Sequence, residues 1–184
     1  LILSQIFAFT AAPVTVFLSG IIGSQFSPVK SLATLPMALS IVGIAIFAIF
    51  AAKVMSIIGR RAGFIFASII SSLSSLLAAY SIIIESFILF NLACFLLGAG
   101  VAFSHQYRFA AVETVKKDMA PKAISIILLA GIGSAFIGPN VANITKDIIA
   151  EHLYAGSYIA LAVLTLTSII FLLFYKDGHK PNRI

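Results

Sequence analysis

Long runs of hydrophobic residues alternate with short polar connections along the whole chain. Each run is about twenty residues long, which is the length a helix needs to cross a hydrocarbon layer roughly 30 Å thick. Backbone polar groups in lipid must be paired within the protein, so runs of this length are predicted to be helices. The pattern predicts six membrane-spanning helices, at about residues 1–23, 35–52, 62–84, 86–108, 123–144 and 157–175.

Composition supports a membrane protein over a soluble one. Hydrophobic residues make up 61% of the 184 residues, charged residues make up 10%, and the mean hydropathy is +1.13. A soluble domain carries roughly a quarter charged residues, which would supply polar faces to cover a core of buried helices. We therefore predict an all-α polytopic protein with a single six-helix transmembrane domain over residues 1–184.

Basic residues are sorted onto alternate sides of the predicted bundle. Ten of the twelve lie between the second and third spans, at the end of the fourth span and in the link after it, or in the tail. Because basic loops stay in the cytoplasm, both termini are predicted to be cytoplasmic. Topology and anionic lipid headgroups then account for the net charge of +6, and no nucleic-acid partner is expected.

The sequence contains no residue pattern typical of an enzyme active site, a metal site or a pump driven by ATP. Cys94 is the single cysteine, and His105, His152 and His179 are far apart in sequence. No glycine-rich loop ends in Lys followed by Ser or Thr, as a phosphate-binding loop would. We expect no cofactor, no metal and no enzymatic activity.

Two short motifs carry a family resemblance. Gly59-Arg60-Arg61 lies between the second and third spans, and Gly138-Pro139 lies inside the fifth, where proline bends a helix. The first resembles the end of the loop signature of the major facilitator superfamily, although Ala52, Ser56 and Ile57 depart from the rest of it. The second resembles the fifth-helix motif of that family's antiporter and drug-efflux members. By charge and composition alone, the two motifs would be a topology signal and a packing kink.

The resemblance implies the amino-terminal six-helix half of a bacterial efflux-like transporter. A second six-helix half, in the same chain or another, would then be a partner, and a small organic solute would bind between the halves. Rocking of the halves would expose the site to each side of a bacterial inner membrane in turn, and the resemblance implies export of the solute coupled to proton entry. The alternative is a non-transporting membrane protein or an inactive, truncated half-transporter.

Polar residues near membrane depth are the candidate substrate or gating residues. They are His105, Gln106, Arg108 and Glu113 at the end of the fourth span, and Asn140 and Asn143 beside Pro139. Ionisable groups within a span are costly and usually face a cavity or a partner. Arg108 and Glu113 are therefore expected at the mouth of the pathway, with Glu113 also placed to pair with Lys117 or to accept a proton. The alternatives are an interfacial helix end with a snorkelling arginine, and asparagines that bond between helices.

Overall fold

The computed structural model describes residues 1–175, and this part is helical throughout its regular structure. Six helical segments within it are long and apolar enough to cross a membrane. These segments, called the first to the sixth span below, are Ile2–Phe26, Lys30–Ile58, Arg60–Ile83, Phe87–Glu113, Lys117–Ile144 and Ala155–Leu173. The predicted fold class is confirmed. The basic tail residues Lys176, Lys180 and Arg183, together with His179, lie outside the described residues.

Two of the spans are divided into two helices. The α-helices in chain order are α1 (Ile2–Phe9), α2 (Ala11–Phe26), α3 (Leu35–Ile58), α4 (Arg60–Ile83), α5 (Phe87–Ser104), α6 (Tyr107–Glu113), α7 (Ala120–Ile144) and α8 (Ala155–Leu173). The first span is α1 with α2, and the fourth is α5 with α6. Single turns of 3₁₀ helix precede α3 and α7.

The basic turn predicted over 53–61 is much shorter in the structure. Helix α3 continues to Ile58 and α4 begins at Arg60, so that Gly59 alone separates them. Gly59 has φ 88° and ψ 160°, a conformation in which a side chain would be strained. Hydropathy falls at Lys53, but nothing before Gly59 breaks the helix, and this is why the second helix extends beyond the predicted end of its span.

The first span is interrupted near its middle. The sequence predicted one span over about residues 1–23, and in the structure α1 ends at Phe9 and α2 begins at Ala11, with Thr10 between them at φ −59° and ψ −23°. Pro13 has no N–H to donate to the carbonyl of Phe9, and its ring crowds the preceding turn. The hydroxyl of Thr10 donates to the carbonyl oxygen of Phe7 at 2.6 Å, so this polar side chain is satisfied inside the bundle.

Glycines set the closest approach between the second and fourth spans, which pack extensively on each other. A Cβ atom on Gly43 would collide with the carbonyl oxygen of Phe95, and one on Gly98 would collide with that of Ser40. The two backbones therefore touch where both helices lack a side chain. Small residues at such contacts are typical of helices packed in lipid, where no hydrophobic effect drives the helices together.

Serines have the same role between the third span and its neighbours. Ser68 of α4 and Ser168 of α8 are buried, and their hydroxyl oxygens lie 2.7 Å apart. Ser71 fills the space in front of Gly100 of α5. Helix α4 is thus enclosed on two sides, whereas α3 and α7 bury few of their residues.

We expect Gly98→Ala to destabilise the protein by about 1–3 kcal/mol, because the new methyl group meets backbone that cannot move aside easily. Unfolding of the purified protein in detergent micelles with increasing dodecyl sulfate measures this change. Gly131→Ala is the matched control, since nothing lies near that position. It should be neutral or stabilising by about 0.5–1 kcal/mol. Equal stability of the two variants would contradict the backbone contact.

Candidate functional site

The turn at Gly59 places two arginines at the start of α4, at the end of the bundle that we call the basic end. This end is defined by the side chains of Arg60, Arg61, Lys116, Lys117 and Lys122. Because Gly59 is a single-residue turn, Arg60 and Arg61 occupy the first helical positions and project toward the ends of neighbouring spans.

Arg60 forms a two-pronged ion pair with Glu113, the last residue of α6. Its Nη2 donates to Oε1 at 2.7 Å and its Nε donates to Oε2 at 3.1 Å. The guanidinium Nη1 also donates to Oε1 of Gln106 at 3.3 Å. The side chains of Arg60 and Glu113 are 17% and 29% exposed, so water screens the pair only in part.

A stacked aromatic pair lies directly under this ion pair. Phe64 follows Arg60 by one helical turn, and its ring stacks on that of Tyr107 with centroids 3.9 Å apart and planes 16° apart. Both side chains are fully buried. The contact fixes α6 against α4 and so holds Gln106 and Glu113 within reach of Arg60.

Arg61 links the same turn to the sixth span. Its Nη2 donates to the carbonyl oxygen of Leu173, the last residue of α8, at 2.8 Å. Carbonyls in the last turn of a helix lack a partner within the helix and carry partial negative charge. The side chains of Arg60 and Arg61 together therefore connect the ends of the third, fourth and sixth spans by hydrogen bonds.

Glu113 pairs with a different residue from the one expected from the sequence, which was a residue along its own helix. The expected partner was Lys117, four residues later, but the chain leaves the helix after Glu113. The carboxylate instead bonds to Arg60, 53 residues earlier in sequence. The signal in the sequence is the pair of opposite charges at the ends of two consecutive spans, Arg60 at the start of α4 and Glu113 at the end of α6.

His105 and Gln106 lie at the break between α5 and α6 and face different neighbours. The ring of His105 meets Phe9 of the first span edge-on, with centroids 5.4 Å apart, whereas Gln106 turns to Arg60. Arg108 is exposed, and its Nε donates to the carbonyl oxygen of His105 at 3.5 Å. The break thus separates the predicted polar cluster into a half-buried histidine, an arginine on the surface and residues that belong to the Arg60 ion pair.

The Gly138-Pro139 segment of α7 packs against the interruption in the first span. A Cβ atom on Gly138 would meet Pro13 Cγ and Val14 Cγ2 at 3.1 Å each. The part of the fifth span that contains Pro139 therefore lies against Pro13 of the first span.

The two asparagines lie on the outer face of α7. Gly138 and Ala142 are buried, whereas Asn140 and Asn143 are exposed. Asn140 Nδ2 donates to the carbonyl oxygen of Phe136 at 2.7 Å, a bond within its own helix. The sequence also allowed a hydrogen bond from Asn140 to another helix of this bundle. The observed bond lies within α7 instead. Exposed amides would be costly against hydrocarbon, which makes this face an unusual one.

Two matches to known proteins extend over the whole length of the chain. The family profile described as Major Facilitator Superfamily matches residues 1–184. The riboflavin transporter RfnT of Brucella anthropi is 31% identical over 187 residues, which is 100% of this chain and 47% of that protein. No solved structure matches the chain.

Two proteins of Bacillus subtilis are also similar. The uncharacterized MFS-type transporters YdeG and YddS are each 27% identical over 180 residues and match 95% and 96% of this chain. The chain spans less than half the length of all three curated relatives. The matched proteins are transporters, so the prediction that the chain is not an enzyme is confirmed.

We expect the Arg60–Glu113 pair to contribute about 1–2 kcal/mol to stability beyond the separate contributions of its members, because its hydrogen bonds are charged and partly shielded from water. A double-mutant cycle of Arg60→Ala and Glu113→Ala, measured by unfolding in detergent, gives this coupling energy. Arg60→Lys keeps the charge but loses the two-pronged geometry, and it should retain only part of the coupling. Strictly additive losses would rule the pair out as a stabilising contact.

Proposed function

The chain belongs to the Major Facilitator Superfamily, and we propose that it forms one six-helix half of a secondary transporter for a small organic solute. In such proteins two helical bundles rock against each other around a site near mid-membrane. The outer face of α7 is the observation that carries this proposal. Asn140 and Asn143 are exposed there, in the last turns of α7, among large apolar side chains such as Phe136 and Ile144 that are also exposed. A second half seated on this face would supply partners for them.

The hydrogen bonds of Arg60 and Arg61 at the basic end support the proposal that this six-helix half moves as a rigid unit. Arg60 bonds to Glu113 and Gln106, and Arg61 bonds to the end of α8, so that three spans are joined at one level. Rocking of a bundle requires that its helices keep their mutual arrangement while the interface with the other half changes. Residues outside these bonds, Arg108 above all, are then free to change partners as the halves move.

Riboflavin is the first solute to test, since a riboflavin transporter is 31% identical to the chain. We propose export as the direction, on the resemblance of Gly138-Pro139 to the fifth-helix motif of efflux proteins. The proposed driving force is proton entry. Glu113 does not serve this role well, because taking up a proton would disrupt its two bonds with Arg60.

The basic end is proposed to face the bacterial cytoplasm, with both termini on that side. The charge distribution supports this orientation, since Arg60, Arg61, Lys116 and Lys117 cluster at turns on one end. Lys30 and Lys146 are the basic residues at the other end within the described residues, where Glu85, Asp147 and Glu151 offset them. Retention of basic turns in the cytoplasm is the general rule for bacterial membranes.

The test is riboflavin export by cells that produce the full-length protein. Cells loaded with riboflavin are diluted into riboflavin-free medium, and the fluorescence that appears outside is followed over time. Producing cells should release riboflavin faster than cells without the protein, and a protonophore should remove the difference. Equal release, in that assay and across a panel of other small organic solutes, would favour the inactive-half alternative.

Arg108→Ala should slow transport by roughly tenfold, about the effect of losing one charge-assisted hydrogen bond that forms during the cycle. The amount of protein inserted in the membrane should not change, because Arg108 is exposed and bonds only weakly to His105. Lys53→Ala is the control, since it removes an exposed cation from α3 without touching the break in the fourth span. Normal rates in both variants would remove Arg108 from the pathway.

A further inference from the structure

An apolar cleft opens at the basic end, beside the end of α6 that carries Glu113. Its volume is about 680 Å³, and the terminal turns of the first, fourth, fifth and sixth spans form its walls. Each of these four spans contributes apolar residues to the lining, for example Leu3, Ala111, Ile126 and Phe171 in that order. A cleft of this size falls within the range of small-molecule sites in proteins.

Few polar groups are available inside the cleft. Thr114, Lys122 and Tyr175 are the lining residues with polar side chains among those described. The hydroxyl of Thr114 already donates to the carbonyl oxygen of Ala111 at 2.8 Å, and Tyr175 is buried. A solute rich in hydrogen-bonding groups would therefore lose its water without replacement. Hydrocarbon is the chemistry that fits these walls.

The rim of the cleft has the opposite character. Lys122 lies at the mouth and is exposed, and Lys116 and Lys117 are exposed on the turn that leads to it. Asp118 is the one acidic residue of that turn, so the rim remains net positive. The occupant should thus combine an apolar chain with an anionic head.

We propose that this cleft binds an anionic phospholipid of the adjoining leaflet. One acyl chain lies between the ends of the first, fifth and sixth spans, and the phosphate lies against the ammonium group of Lys122. Basic pockets between spans, at the level of the headgroups, bind anionic lipids by this combination of contacts. The proposal depends on the membrane-spanning fold and not on which solute is transported.

Photolabelling of the full-length protein in lipid nanodiscs tests the site. The probe is phosphatidylglycerol with a diazirine in one acyl chain, and the same chain on phosphatidylcholine is the matched zwitterionic probe. We expect the anionic probe to label peptides covering 119–127 more strongly than the zwitterionic one. Lys122→Ala should reduce that labelling by about fivefold, the effect of removing one cation at a membrane surface. Lys53→Ala, with the same change of charge away from the cleft, should leave it unchanged.

A second pair of variants tests the cleft itself. Ala123→Phe places a ring among the lining residues and should exclude both probes, whereas Leu128→Phe adds bulk at an exposed position outside the lining. Folding of each variant is checked by its melting temperature in detergent. Equal labelling by both probes, or an unchanged yield in Lys122→Ala, would overturn the proposal.

Two other occupants would also overturn it. Soluble glycerol phosphate that competes with the lipid probe would identify a phosphate site without an acyl chain. A folded protein whose cleft takes up neither probe would show that a segment of the protein itself fills the space. Riboflavin export is measured on the same variants, and its loss with labelling intact would bear on the proposed function and not on the lipid site.

Discussion

Hydrocarbon offers a peptide group no hydrogen-bonding partner, and this constraint governs the structure at every level. It makes each apolar run a helix, and it confines breaks to places where other protein groups surround them. The interruption at Thr10 lies against α7, and the break at His105 and Gln106 lies between the first span and Arg60. Many polar side chains follow the same rule, although Ser4, Gln5, Thr15 and Ser19 of the first span each bury an oxygen atom that has no hydrogen-bond partner in the described residues. Buried serines and threonines mostly donate to carbonyls three or four residues earlier, as Ser75 does to Ser71.

Charge at the basic end complements this packing. Within the bundle, helices touch through glycines and serines and gain little from burial of apolar surface. Arg60 and Arg61 add directional bonds where water and headgroups begin, and these bonds join ends that are distant in sequence. The basic end thus has the bonds of Arg60 and Arg61 on one side and the exposed Arg108 beside them. That contrast separates residues that connect the spans of the bundle from a residue that remains at its surface.

The features that could be predicted from the sequence depend on residues within one short stretch of the chain. Six spans follow from mean hydropathy over about twenty residues, and the sorting of Lys and Arg follows from counting. Gly59 was readable as a turn because only glycine adopts its backbone conformation without strain. The same reasoning could not place Glu113, since its partner Arg60 depends on which helix ends meet. It also could not show that Asn140 lies outside the bundle, because helical period gives a relative direction but not the position of neighbours.

The sequence by itself determined the membrane as solvent, the number and approximate limits of the spans, and the family to which the chain belongs. Each depends on residue types within one window or one motif, so no knowledge of packing is needed. The tertiary structure alone decided that Glu113 belongs to Arg60, that Gly138 meets Pro13, and that an apolar cleft opens beside Lys122. These are contacts between helices, and contacts between helices are set by shape at close approach, which hydropathy does not encode.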